Sequence, residues 1–346
     1  MNVRNRIINL IKEKKNIRLD EFINHCLHKQ DSYYVENNPI GENNDFVTAP
    51  EISQMFGEII GSYILNYWLT NINSDFKLIE LGPGKGTLLK DILRVAETNK
   101  KFLRHAHIDL IEQNNKLIKF QKATIDRSML NIKWKNDFNF NSTLPYIFYS
   151  NEFFDCLAIR QFFKKDNWLE KYVSYDENSD YFYFKNKKTT DQKIIKRLEN
   201  YYKNGIAEIS TLREIIFDKI CREVNKNKGV IITIDYGYEN VLNNFSLQSV
   251  FKHKKTHIFE NIGKQDISSL VNFKELIDIA KKNELKVDIF YNQKKFLLTH
   301  GLKERKNILK KNKSKKERDN LEKEYDRLIN DDKMGKDFKI LIVSHK

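Results

Sequence analysis

Residues 76–92, FKLIELGPGKGTLLKDI, run from a short apolar strand through a glycine loop into a helix. Gly82, Gly84 and Gly86 alternate between Glu80, at the strand's end, and the apolar helix positions Leu88, Leu89, Ile92 and Leu93. A ligand can lie on the bare backbone of such a loop, because glycine reaches dihedrals other residues avoid and has no side chain to intervene. The helix that follows offers free N–H groups to a carboxylate or phosphate.

Details of the loop select the ligand. A P-loop needs G-x-x-x-x-G-K-[ST], whereas Lys85 stands between two glycines with Gly86 after it. A dinucleotide fingerprint needs its third glycine where Thr87 stands, and an acid before the loop is unhelpful beside a pyrophosphate. Glu80 suits a cationic ligand better. S-adenosyl-L-methionine carries an ammonium and a sulfonium, and E/D-x-G-x-G-x-G after a first strand resembles the cofactor motif of class I methyltransferases. Glu112 closes the next strand candidate, IDLIE, where a carboxylate can take both ribose hydroxyls.

Composition adds less. The 346 residues suffice for one large domain or two, and the formal charge is +14. Lysine, asparagine, isoleucine, tyrosine and phenylalanine are abundant throughout while glycine and proline are scarce, as in the product of an AT-rich genome. The charge is therefore no argument for nucleic acid, which is not expected as a partner. Cys26, Cys156 and Cys221 are too far apart for a disulfide framework or a Cys-x-x-Cys site. The cluster His25, Cys26 and His28 lacks a distant partner at metal-ligand spacing, so no metal is expected. No apolar run approaches the roughly 20 residues of a membrane span. The first segment, IINLIKEKK, reads as an amphipathic helix rather than a presequence, and a cytoplasmic chain is expected.

Along the chain, residues 1–75 read as a helical cap or lid. Two short helices come first, then a loop with Tyr33, Tyr34, Asp45 and Phe46 that could close over a cofactor, then a capping box of Thr48 and Glu51. Residues 76–160 form the first part of the core. Asp137 follows the third strand and either accepts from an adenine amino group or is an exposed loop acid. The fourth strand, Tyr146–Ser150, breaks into Asn151, Glu152, Phe153, Phe154 and Asp155, which should face the transferable group at the carboxyl end of a parallel sheet. Residues 161–228 form an insertion, a hairpin plus helices, and 229–346 complete the core with GVIITIDYGY, a run buried on both faces, and a last strand, FKILIVS. Between these, the charged segment 303–332 reads as a solvated helix whose inward stripe is Leu321, Tyr325, Leu328 and Ile329.

The strings DFVTAPEISQMFGE, LIELGPGKGTLLKDILR, NEFFDCLAIRQF, IDYGY and MGKDFKILI resemble, in this order, the MidA-like S-adenosylmethionine-dependent methyltransferases of bacteria and mitochondria. The resemblance covers nearly the whole chain. It implies an α/β class I methyltransferase fold, a Rossmann-like and mostly parallel sheet with an N-terminal helical layer and an α+β insertion after the fourth strand. It also implies methylation of an arginine in a respiratory complex I core subunit, with Glu80, Gly82, Gly84, Gly86 and Glu112 at the cofactor and Asn151, Glu152 and Asp155 at the substrate. Asn44, Lys85 and Ala158 depart from the family's pattern, as does Leu270 at a usual histidine.

An arginine side chain presents a planar fork of donors, which Glu152 and Asp155 could grip bidentately. Two rival readings stay open. Asn-x-x-aromatic at Asn151 and Phe154 resembles the motif of enzymes that methylate planar amino groups of nucleobases or glutamine amides. A non-catalytic scaffold would use the cofactor only for stability.

Overall fold

The computed structural model describes residues 2–36, 48–125 and 130–346. Its central sheet contains, in chain order, β1 (Phe76–Leu81), β2 (Ala106–Ile111), β3 (Ile132–Lys135), β4 (Tyr146–Asn151), β5 (Gly229–Tyr238), β6 (Val271–Asn272), β7 (Lys286–Asn292) and β8 (Phe338–Ser344). The helices that frame it and the site are α1 (Val3–Lys14), α2 (Leu19–Leu27), α3 (Gln54–Tyr67), α4 (Thr87–Ala96), α5 (Asn115–Ile125), α6 (Thr211–Asn227) and α7 (Phe273–Lys282).

The strands lie in the order β7-β8-β5-β4-β1-β2-β3, with β6 paired to the end of β5. Strands β1 to β6 pair in parallel, while β8 runs antiparallel to both β5 and β7. This is the Rossmann-like class I architecture. The order reverses between β1 and β4, and ligands of open parallel sheets bind at such a reversal, beyond the carboxyl ends. Register brings those ends level: Leu81 lies opposite both Ile111 and Ser150, and Ile234 opposite Asn151. Glu80, Glu112, Asn151 and Asp235 therefore share one edge.

Apolar runs in β1, β4 and β5 are buried on both faces, as helix-covered parallel strands require. On one face α3 presents Met55, Phe56, Ile59, Ile60 and Ile64, and it packs closely on α4. Gly61 permits that approach, since a Cβ there would stand 2.9 Å from the Cα of Ile92. On the other face lie Ile216, Phe217 and Ile220 of α6 with Phe273 and Leu276 of α7. Each such side chain contributes roughly 1.5–3 kcal/mol relative to exposure.

The hairpin expected after the fourth strand is Trp168–Asp176 paired with Tyr181–Lys188. It belongs to a five-stranded antiparallel sheet with Arg160–Lys164, Ile206–Ile209 and, unexpectedly, Ile17–Arg18, which pairs with Tyr172 and Val173. Helices α1 and α2 accordingly cover this sheet: Ile7, Ile11, Phe22 and Ile23 share a cluster with Val173, Phe182 and Ile258.

The capping box at Thr48 and Glu51 does not form. Thr48 makes no side-chain cap bond, and the segment splits into a one-turn helix, Ala49–Ile52, and α3, whose Met55 amide is capped by the Ser53 hydroxyl. Glu51 turns away to Thr87 and Lys85.

The charged segment divides into helices Leu302–Lys310 and Lys315–Ile329, the latter opened by a capping box of Ser314 and Glu317. Lys306 and Lys310 both meet Glu322, so part of its positive charge is matched within the chain. Its expected inward stripe, Leu321, Tyr325, Leu328 and Ile329, packs on the core.

Candidate active site

The glycine loop turns through three left-handed residues, Gly82, Gly84 and Gly86, at φ +64°, +55° and +82°. Packing excludes a side chain at Gly82 as well, because a Cβ there would stand 2.9 Å from the Phe153 ring. The loop edges a cavity of ≈ 1040 Å³, mouth included, whose walls carry Glu80, Glu112, Asn151, Glu152, Tyr34 and Glu51 among others.

Glu80 is 2% exposed and accepts a hydrogen bond from the Tyr149 hydroxyl at 3.0 Å. Burial pushes its carboxyl up to about 8; the Tyr149 hydrogen bond opposes this and the charge of Glu112 adds to it. Glu112 is held differently. Its Oε1 accepts from the amides of Gln113 and Asn114, each at 2.8 Å, and its Oε2 accepts from Gln121 at 3.1 Å. Desolvation still raises its pKa.

Gln121 also donates to the carbonyl of Gly84 at 2.8 Å and accepts from Trp134 at 2.8 Å, tying the loop to Glu112 and to β3. Sequence reasoning missed it. The legible signal is an amide between Leu117 and Ile125, four residues from each, on the buried stripe of α5.

Asn151 ends β4, and Glu152 follows it in the left-handed region at φ +52°. Glu152 Oε1 accepts from Asn151 Nδ2 at 3.0 Å and from the Ala49 amide at 3.4 Å. Among the described residues, Oε2 has no hydrogen-bond donor. Burial, then the charge of Asp155, raises the Glu152 carboxyl to about 8. Asn151 Oδ1 is a buried acceptor with no partner among the described residues.

Asp155 does not line the cavity. It sits behind, where burial raises its pKa against the opposing charge of Arg213. Asp235, at the end of β5, accepts from the Phe154 amide at 2.8 Å, and its pKa is also raised by burial. Arg213 of α6 closes the arrangement. Its guanidinium donates to the carbonyls of Phe154 (2.5 Å), Asp155 (3.0 Å), Leu270 (3.0 Å) and Ser269 (3.2 Å), and to Ser269 Oγ (2.7 Å). Helix α6 thus supplies the anchor of the loop that carries Glu152, a role no local pattern around Arg213 announces.

Other expected residues fall elsewhere. Asp137 is exposed, accepts from the amide and side chain of Asn139, and borders a neighbouring cleft that shares Glu112 and Gln113 with the cavity. The ring of Phe154 is 1% exposed and packs edge-on against Phe217, so it offers no platform for a planar amino substrate. Asp45 and Phe46 lie outside the described residues. Tyr34 does line the cavity, donating to Asp266 at 2.6 Å and stacking on His28, whose Nε2 meets the Cys156 carbonyl at 3.0 Å.

A family model described as "Putative S-adenosyl-L-methionine-dependent methyltransferase" matches residues 59–291. The chain belongs to that family. The methyltransferase is 29% identical over 358 residues to the mitochondrial protein arginine methyltransferase NDUFAF7 of Homo sapiens, covering 95% of this chain and 80% of that one. It is also 29% identical over 326 residues to the homologue of Caenorhabditis elegans, covering 86% and 75%. A crystal structure from Burkholderia thailandensis bound to S-adenosyl-homocysteine superposes with a TM-score of 0.86 at 19% identity, covering 99% of this chain and 92% of that one, and shows the same fold. The relatives are mitochondrial proteins, which overturns the cytoplasmic expectation. That expectation rested on the first segment, and a segment folded as the packed helix α1 carries no information about compartment.

The cofactor is S-adenosyl-L-methionine, and the residues fit it. A bare-backbone cradle, the orphaned Asn151 acceptor and recessed carboxylates answer a ligand that brings N–H donors and two cationic centres. A cation favours the ionised form of Glu80, so cofactor affinity should rise by up to about tenfold per unit between pH 6 and 7.5, with proton release on binding. Calorimetry in buffers of different ionisation enthalpy measures both; an affinity flat over that range would remove Glu80 from the cation's surroundings. Without ligand the sign reverses. The folded value of about 8 lies above the ordinary 4.5, so Glu80's contribution weakens folding as pH rises from 4.5 to 8.

Proposed function

We propose that this methyltransferase modifies an arginine side chain of a protein and that Glu152 is the residue that grips it. The observation that carries the reading is that Glu152 lines the cavity with an Oε2 that has no hydrogen-bond donor among the described residues, in the field of Asp155 and Asp266. A guanidinium is a planar donor that stays protonated at any working pH, so acceptors rather than donors must recognise it. The relatives, which are protein arginine methyltransferases, support the same substrate class.

S-adenosylmethionine supplies an electrophilic methyl group on its sulfonium. The protein's part is positioning. Glu152 Oε1 is fixed by Asn151 and the Ala49 amide, so Oε2 can take a guanidinium N–H and restrain the fork's rotation. With its carboxyl at about 8, Glu152 also suits the late acceptance of the proton that a newly methylated guanidinium sheds. Behind it, Arg213 opposes the effect of burial on Asp155 and Asp235, and the charge of Asp155 keeps Asp235 toward its protonated form. In this reading the substrate is a core subunit of respiratory complex I, as the family resemblance implies, and methylation serves assembly.

The test is transfer of labelled methyl from the cofactor into an extract lacking this protein, followed by electrophoresis and acid hydrolysis. Methylarginine in one protein band is the expected product. Label in nucleic acid or in methylglutamine would overturn the reading.

A further inference from the structure

The described residues lining the cavity include four carboxylates, Glu51, Glu80, Glu112 and Glu152, and a single lysine, Lys85. The cofactor brings two cationic groups and one anion, its amino-acid carboxylate. That anion cannot rest beside any of the four acids without a cation between them. Glu80 is buried behind the loop against Tyr149, Glu112 is held by backbone amides at the end of β2, and Glu152 is tied to Asn151 and Ala49. Among the described lining residues, the lysine stands at the Glu51 corner.

We propose that Lys85 receives the carboxylate of S-adenosylmethionine and makes the pocket selective for the intact cofactor over its decarboxylated form. Lys85 stands between two left-handed glycines, one residue before Gly86, the N-cap of α4, so its side chain leaves the loop where the first amides of a ten-residue helix also lack carbonyl partners. The side chain is 24% exposed, so most of it lies along the cavity wall rather than in solvent. Its Nζ lies 3.9 Å from Glu51 Oε2, beyond hydrogen-bond length. The other Glu51 oxygen is held by the Thr87 hydroxyl at the first turn of α4. Glu51 therefore keeps Lys85 over the pocket without consuming its donors. A ligand carboxylate meets three N–H groups of Lys85, and a ligand without one meets a lysine whose charge it cannot use.

Calorimetric titration of the full chain with S-adenosylmethionine and with decarboxylated S-adenosylmethionine tests this without reference to turnover. Wild type should prefer the intact cofactor, and Lys85→Met should weaken it about 10- to 100-fold, the usual range for a lost charge-assisted hydrogen bond. Affinity for the decarboxylated compound should stay within about threefold, which also shows that the variant is folded. Lys85→Arg should restore the preference, since its fork also takes a carboxylate. Glu51→Gln keeps an acceptor for Thr87 and releases Lys85, so intact cofactor should bind a few-fold more tightly. Equal weakening of both ligands by Lys85→Met would reduce Lys85 to a structural part of the loop. Weakening by Glu51→Gln would place Glu51, rather than Lys85, against the cofactor. Either result overturns the assignment.

Discussion

Glu152→Gln lowers kcat for methyl transfer by about 10²–10³-fold, the scale for losing a charge that stabilises a reacting group, and leaves cofactor affinity within about threefold. The substitution is nearly isosteric. Its amide oxygen can keep the bonds from Asn151 Nδ2 and the Ala49 amide, and the backbone at φ +52° is no more strained for Gln than for Glu. The change falls on Oε2, which becomes an NH₂ donor facing a guanidinium that itself only donates. The pH profile supplies a second readout. At saturating cofactor, wild-type kcat should rise about tenfold per unit up to about pH 8, because Glu152 accepts only when ionised, and the variant should lose that limb. Glu152→Asp withdraws the carboxylate by one methylene and should fall between the two. Unchanged kcat in Glu152→Gln would remove Glu152 from the chemistry.

Arg213→Met should destabilise the methyltransferase by about 3–5 kcal/mol, the cost of stripping one partner from a buried charge arrangement, and lower Tm by roughly 4–7 °C. The guanidinium serves four carbonyls and one hydroxyl in the Phe154–Asp155 and Ser269–Leu270 segments; the carbonyls of Phe154 and Asp155 keep the amides of Leu157 and Ser269, while those of Ser269 and Leu270 lose the donor they have in Arg213. Asp155 and Asp235 also lose a cation that opposes the effect of their burial, so both shift further toward the protonated form. Arg213→Lys keeps the charge but offers three donors from one nitrogen, and about half of the loss should remain. Thermal melts followed by circular dichroism measure the series. A shift below about 2 °C for Arg213→Met would mean that the loop carrying Glu152 is held by other contacts.

The strand-glycine-helix unit of residues 76–92, the acid after β2 and the break after β4 were legible because each is a local pattern with a local cause. Glycine spacing reports left-handed backbone, a run such as GVIITIDYGY reports burial on both faces, and an acid at a strand's end falls at the edge where ligands bind. The errors share a different cause. Thr48 and Glu51 have the spacing of a capping box, yet Glu51 finds a better partner in Thr87, 36 residues away, and Ser53 takes over as cap. Asp155 lies three residues from Glu152 in sequence, but the sharp left-handed turn at Glu152 sends it behind the loop toward Arg213.

By itself, then, the sequence determined the class of fold, the cofactor's cradle and the family, since these rest on dihedral preference, burial periodicity and long motifs. Only the tertiary structure decided which acids line the pocket and which lie buried beside Arg213. It also decided that α6 reaches through Arg213 to the loop that carries Glu152, and that the N-terminal segment joins the five-stranded antiparallel sheet through Ile17 and Arg18. Those outcomes depend on which of several chemically equivalent partners comes within about 3 Å. Side chains far apart along the chain meet at that distance only once the sheet's register has set the loops side by side.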